Sequence, residues 1–239
     1  MKKLIIFILY LISRVIYSLI PKEFKKKKNI YDIHSKIIEY SSNETFEHFK
    51  NDLKRSVLFT DIREIRKYAI KNALLNDKNL EFFYLEFGTY RGASCNMFSQ
   101  YVKKFYTFDS FEGLSTDWAG KFDKPKGSYT SNKKLPKLNS NVEPVIGWVE
   151  DTLDVFLDTH KPKINFIHFD MDIYEPTKFT LLKVKPYLLK NAILIFDDFY
   201  NYFGWDQGEY KALMEVFSKN EFEYKAFAVN GKRCVIQVK

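Results

Sequence analysis

The stretch LEFGTYRGAS, Leu85 to Ser94, closes the apolar run FFYLEFG (82–88). The chain has nine glycines in 239 residues, and two of them, Gly88 and Gly92, stand here four apart. A short apolar run ending in glycine reads as a strand buried on both faces, which is the habit of parallel sheets. Gly88 permits a tight strand-to-helix turn, and Gly92 lets a ligand approach the N-terminus of a helix over 93–103. Such a helix end offers free N–H groups and a positive dipole, suited to a carboxylate or a phosphate.

The same alternation continues outward from this stretch. FYTFD (105–109), PVIGW (144–148), INFIHFD (164–170) and AILIFDD (192–198) read as further strands. Helices are expected from EDTLDVFL, from PTKFTLLKVKPYLL with Pro176 at its first position, and near 208–218. FEYKAFAV and RCVIQV read as a closing antiparallel hairpin across Asn230-Gly231, a pair that favours a type I′ turn. Residues 30–79 read as helical, with Asp61 capping a helix that carries Ile62, Ile65, Ala69, Ile70 and Ala73 at three-four spacing. Residues 110–141, with Gly113, Gly120, Pro125, Gly127 and Pro136, form a long loop of the kind that often serves as a lid. The pattern predicts an α/β fold: a Rossmann-like doubly wound sheet, mostly parallel with a C-terminal antiparallel strand, preceded by N-terminal helices. Three parts are expected: an N-terminal helix and basic stretch over 1–28, a helical cap over 29–79, and the main domain over 80–239.

Charge is distributed unevenly. The net charge is +8, but residues 1–30 hold eight Lys/Arg against one Glu, so the remainder is close to neutral. A nucleic-acid enzyme spreads its basic footprint over the catalytic domain, so no nucleic-acid partner is expected. Cys95 and Cys234 lie far apart with no Cys/His cluster, which points to two reduced core thiols. Leu4 to Ile20 is apolar apart from Ser13, Arg14 and Ser18. At that length and with a central arginine, spanning a bilayer is marginal. Lys3, Tyr10, Arg14 and Tyr17/Ser18 form a narrow polar stripe, so the helix is expected to lie on a membrane surface or anchor shallowly there, with Lys25 to Lys28 drawn to anionic lipid. A cleaved signal and a helix packing on a partner protein are the alternatives. Five lysines after the helix against two before it would keep the body in the cytoplasm, at the inner face of the membrane. Richness in Lys, Ile, Asn and Phe points to an AT-rich bacterial genome, and a homo-oligomer stays open.

In a doubly wound sheet the ligand sits beyond the carboxyl ends of the central strands, at the switch point. Asp109 ends the second strand 21 residues after Gly88, where an acid grips a ribose hydroxyl pair. Glu86 would repel a pyrophosphate and attract an ammonium group. A ligand with carboxylate, ammonium and ribose together is S-adenosylmethionine. Five motifs in series, EFGTYRGAS, YTFDSFEGL, GWVEDTL, HFDMDIYEPT and IFDDFY, resemble the macrocin O-methyltransferase family over about 60–230. These are S-adenosylmethionine-dependent enzymes that methylate sugar hydroxyls with a divalent metal. The resemblance implies that Glu86, Gly88, Gly92 and Ser94 hold the methionine end, with Thr89 and Tyr90 between them. It places Asp109, followed by Ser110, at the ribose, and Gly147 to Asp151, including Glu150, at the adenine. One departure stands out: the Gly-Gly before the last motif is Lys190-Asn191 here.

Asp170 and Asp172 end one central strand, and Asp197 and Asp198 end the next, on the same rim. A hard cation with oxygen ligands relieves such crowding, and magnesium is the natural candidate. It would bind adjacent sugar hydroxyls, and a carboxylate or the neighbouring His168 would take the proton. The resemblance favours Asp170, Asp197 and Asp198 as ligands and Asp170 as base. Each residue has a plainer reading: Asp172 and Asp198 as caps, His168 as a core histidine on an apolar strand. Trp118, Trp205 and Tyr202 could stack on a sugar or simply pack, and His34, His48 and His160 carry no motif. The expected function is magnesium-assisted O-methylation of a sugar hydroxyl in cell-surface glycan or glycoside biosynthesis. A catechol or phenol methyltransferase and a membrane-tethered, non-catalytic cofactor-binding protein are the alternatives.

Overall fold

In the computed structural model, which describes residues 2–19 and 32–239, the first two helices are α1 (Lys2–Leu19) and α2 (Ile33–Leu53). There follow β1 (Val57–Phe59), α3 (Ile62–Leu75), β2 (Phe83–Phe87), α4 (Ala93–Ser99), β3 (Phe105–Asp109), β4 (Val142–Ile146), α5 (Val149–His160) and β5 (Ile164–Phe169). The chain closes with α6 (Tyr174–Val184), β6 (Leu188–Phe196), α7 (Glu209–Val216), β7 (Phe222–Ala228) and β8 (Cys234–Val238). The eight strands form one sheet in the order β1-β7-β8-β6-β5-β2-β3-β4. β8 alone runs against its neighbours, pairing antiparallel with both β6 and β7. β2 therefore leads to β3 on one side while β5 lies on the other, which puts the switch point at the carboxyl ends of β2 and β5.

Both faces of the sheet are covered. α3 lays Ile65, Ala69, Ile70 and Ala73, all without exposure, against Tyr84, Phe166, Ile193 and Val235 on one face, where Cys95 and Phe98 of α4 join them. On the other face Leu153 and Phe156 of α5, Leu181 of α6 and Leu213 of α7 pack on Leu85, Ile167, Phe169 and Leu194. The three-four spacing of α3 turns the right stripe inward, and Asp61 starts the helix by accepting the N–H groups of Arg63 and Glu64. Both cysteines are buried and free.

Four local expectations need correction. Residues 29–79 are not wholly helical: β1 extends the sheet edge beside β7. Contacts divide the chain after Ile37, so residues 38–79 pack in one unit with the sheet. Pro176 is the third residue of α6 rather than the first, still within the turn whose N–H groups lack helical partners. At the β7–β8 connection neither Asn230 nor Gly231 takes a positive φ, so the turn is not type I′. Instead the Gly231 N–H donates to Ala228 O and the Ala228 N–H to Arg233 O, a wider loop that carries Lys232 and Arg233.

Among the described residues no helix is long and apolar enough to cross a membrane. In α1 every side chain from Ile5 to Leu19 is exposed. Arg14 lies over the Tyr10 ring, 5.9 Å from its centroid, as the polar stripe requires. Pro21 and the lysines at 22 and 25–28 lie outside the described residues.

Candidate active site

The carboxyl ends of β2, β3, β4, β5 and β6 surround a cavity of about 330 Å³. Gly88 makes it possible. Its φ is +92°, and a Cβ there would run into the Asp170 carbonyl, so only glycine lets the β2 turn pass so close to β5. Asp109 then fixes the turn. Its Oδ2 accepts the N–H groups of Thr89 at 2.7 Å and Tyr90 at 2.8 Å, and its Oδ1 accepts that of Phe111 at 2.7 Å. Gly88, Thr89, Tyr90, Asp109, Ser110, Gly147, Glu150, Asp170, Asp172, Asp197 and Asp198 all line the cavity.

Glu86, Gly92, Ser94, Asp151 and His168 do not line it. Gly92 takes φ +76°, and a Cβ on it would meet the Leu138 side chain. Glu86 has no exposure, and its carboxylate is hydrogen-bonded to the His168 Nδ1 at 2.8 Å. His168 is equally buried, and its Nε2 faces Asp197 Oδ1 at 3.3 Å. Burial opposes its charge, but the bonds to Asp197 and Glu86 outweigh this and hold the imidazolium up to about 9. With carboxylates at both ring nitrogens, His168 belongs to a buried chain of ionisable groups behind the cavity.

Asp197 is the hub of that chain. Arg233 reaches it as a fork, Nε to Oδ1 at 2.6 Å and Nη2 to Oδ2 at 2.5 Å, and Arg66 Nη2 reaches Oδ1 at 2.7 Å. Burial alone would raise the Asp197 carboxyl, but His168, Arg66 and Arg233 hold it well below the usual range. Its remaining acceptor capacity is at Oδ2. Asp170 behaves in the opposite way: burial and the neighbouring Asp197 charge push it up to about 7. Asp172, at φ 68°, is raised well above the ordinary range by burial and by Asp170.

Asp198 has different partners. Lys232 pairs with its Oδ1, and Lys121 Nζ lies 3.6 Å from the same atom. Both ammonium groups sit over the Trp118 and Tyr202 rings, within 6 Å of the centroids. Burial and the adjacent Lys121 push the Lys232 ammonium down to about 7. The Asp198 N–H donates to Glu209 Oε2 at 3.0 Å, while the other Glu209 oxygen is buried without a partner. Burial keeps the Glu209 carboxyl well above its usual range. Trp118, Tyr202 and Trp205 are all buried, so these aromatics pack rather than stack on a ligand. Tyr129 from the long loop does line the cavity, edge-on to Tyr90 with 5.6 Å between ring centroids.

Lys121, Lys232, Arg233, Arg66, Glu209 and Tyr129 were not singled out from the sequence. The adjacent Lys232-Arg233 pair, opposite in charge to Asp197-Asp198, was a signal that pairing could have used. Arg66 gave none, since it is one of several charged residues on α3 and lies 131 residues from its partner.

The donor chemistry fits a hard cation. One oxygen each from Asp170, Asp172 and Asp198 lies within 4.8 Å of the others, and His168, Asp170 and Asp197 meet the same limit. The first set is the better match, because the second spends a histidine already bonded to two carboxylates. The chemistry of the lining suits a nucleoside cofactor as well: the glycine turn, the acid ending β3 and the Gly147–Glu150 segment all border the cavity.

A doubly wound sheet with one reversed strand and a cavity at its switch point is the Rossmann-like architecture of methyltransferase domains. Comparison with known proteins agrees. A family described as a methyltransferase domain matches residues 85–199. The crystal structure of CalS11, described as a calicheamicin methyltransferase, is similar at 18% identity over 86% of this chain and 93% of that one, with a TM-score of 0.60. The apo structure of CalS11, described as a TDP-rhamnose 3'-O-methyltransferase, covers 89% and 96% at 18% identity with a TM-score of 0.55. The O-methyltransferase NovP covers 74% and 79% at 18% identity with a TM-score of 0.54. At such identities the likeness is one of fold. None of the curated proteins matches the sequence.

Proposed function

We propose that the protein is an S-adenosylmethionine-dependent O-methyltransferase that acts on a sugar hydroxyl with the help of a divalent cation. The observation that carries this reading is the meeting of Asp170, Asp172 and Asp198 in the cavity that also holds the Gly88 turn and Asp109. Asp109 would hold the ribose through the lone pairs its three backbone bonds leave over, and Gly147 to Glu150 would border the adenine. Asp170, Asp172 and Asp198, with Asp197 Oδ2 in reserve, would hold the cation. When bound, the cofactor supplies an electrophilic methyl group and the cation lowers the pKa of the acceptor hydroxyl. Asp170 lines the same cavity and would take the hydroxyl proton through a carboxylate oxygen left free of the cation. Glu86, His168, Arg66 and Arg233 hold the rim in place from behind. The sugar acceptor is supported by the motif resemblance and by the sugar named for CalS11. The exposed apolar helix α1, with the basic stretch after it, favours a membrane surface and hence a surface glycan or its lipid-linked precursor.

Calorimetric titration of the purified protein with S-adenosylmethionine, with and without magnesium, tests this directly. Cofactor binding, plus magnesium binding that Asp170→Asn/Asp198→Asn removes, is the expected outcome. Cofactor binding without any metal effect would leave a metal-free transferase, and no cofactor binding would sink the reading.

A further inference from the structure

The carboxylates of the cavity do not share one set of partners. Asp197 and Asp198 are adjacent on the rim, and the residues that answer them, Lys232 and Arg233, are adjacent on the β7–β8 connection. Arg233 forks onto Asp197, while Lys232 turns to Asp198 Oδ1. The connection is held at that point by the Phe199 N–H, which donates to Lys232 O at 2.8 Å, and by the Ala228–Arg233 bond. Lys121 arrives at the same oxygen from a separate segment, the long loop after β3. Two cations from two segments thus meet on one carboxylate, and both rest on the Trp118 and Tyr202 rings. Their side chains are about 20% exposed, so water screens them little.

Asp198 is also one of the three carboxylates able to surround a hard cation with Asp170 and Asp172. An ammonium group and a divalent cation cannot both sit on that oxygen without strong like-charge repulsion at low dielectric. We propose that Lys232 is a built-in competitor at this site: its ammonium and a divalent cation exclude each other from Asp198, with Lys121 adding to the repulsion. The Trp118 and Tyr202 faces give the displaced ammonium a place to rest, so the competition sets metal affinity without unfolding the connection. Arg233 keeps its fork on Asp197 throughout and anchors the loop while Lys232 swings. The proposal rests on the divalent-cation part of the proposed function.

The test is binding of Mn²⁺ alone to the full-length protein in mild detergent, followed by the electron paramagnetic resonance of free Mn²⁺. Lys232→Met removes the charge and keeps the length of the side chain; Lys232→Arg keeps the charge. Lys232→Met is expected to tighten the Mn²⁺ dissociation constant by roughly tenfold, while Lys232→Arg stays within about twofold of the wild type. Lys121→Met, in the background of the native Lys232, is expected to give a smaller tightening and serves if Lys232→Met does not fold by circular dichroism. Wild-type binding that Lys232→Met leaves unchanged or weakens would overturn the proposal and leave the metal site standing. No Mn²⁺ binding by the wild type or any variant would overturn both this proposal and the divalent-cation reading, whereas cofactor binding is judged by its own titration.

Discussion

Gly88 and Asp197 show how much of this site is settled one residue at a time. Gly88 combines a left-handed backbone with contact against the Asp170 carbonyl. Gly88→Ala is therefore expected to lose about 3 kcal/mol of stability, because strain and overlap act on the same atom. A urea midpoint unchanged from the wild type would refute the close approach. Asp197 holds two guanidinium groups and an imidazolium. Asp197→Asn should cost about 3–5 kcal/mol, since a buried imidazolium and two largely covered guanidinium groups lose their shared counter-charge. Thermal unfolding checks it, and a melting temperature equal to the wild type would show the hub to be dispensable. The two aspartates ending β5 and β6 look alike in sequence, yet Asp170 is raised while Asp197 is lowered. The difference comes from hydrogen bonds: His168, Arg66 and Arg233 bond directly to Asp197 and not to Asp170, and nothing in a pair of aspartates foretells it.

At the scale of elements, the clearest lesson is α2. It buries only Ser41, Thr45 and Phe49, so its sequence looks like a solvated helix. Phe49 has no exposure and meets the rings of Phe199, Tyr200, Trp205, Tyr210, Tyr224 and Phe227, all with centroids 5.3–6.0 Å away. Phe49→Ala is expected to cost about 3–5 kcal/mol, the usual loss for a buried aromatic. A loss below 1 kcal/mol in urea unfolding would mean that α2 is not anchored there. β6 shows how a departure from a motif is absorbed. Between its pairings with Ile164 and Phe166 it advances from Leu188 to Ile193, a bulge that contains Lys190-Asn191. Asn191 takes φ 66°, and asparagine tolerates the left-handed region better than other non-glycine residues.

On the scale of the whole molecule, the chain divides after Ile37, and α1 exposes its large apolar side chains from Ile5 to Leu19. Removing residues 1–31 leaves α2 intact. The truncated protein is expected to melt within about 2 °C of the full chain, since α1 contributes no buried core, and to lose co-sedimentation with vesicles of anionic lipid. Vesicle binding that survives truncation would place the membrane surface elsewhere on the protein. A fall of many degrees would show that the N-terminal residues stabilise the sheet.

Strand identity, the doubly wound class, the reversed last strand and the rim of carboxylates were legible in the sequence. They follow from local rules: apolar runs ending in glycine or aspartate, helical spacing such as that of Ile65 to Ala73, and turn residues between them. The edge strand β1 was not legible, because three residues, VLF, carry no period. Nor were the partners of the carboxylates. Arg66 lies 131 residues from Asp197, and Lys121 and Lys232 come from two separate segments of the main domain to one oxygen of Asp198. The sequence by itself determined which side chains stand at the strand ends, because a strand's period and its terminating glycine are local. Only the tertiary structure decided which carboxylate is clamped, which is raised and which faces a lysine, because charge at a buried site is set by whatever the fold brings within a few ångströms of it.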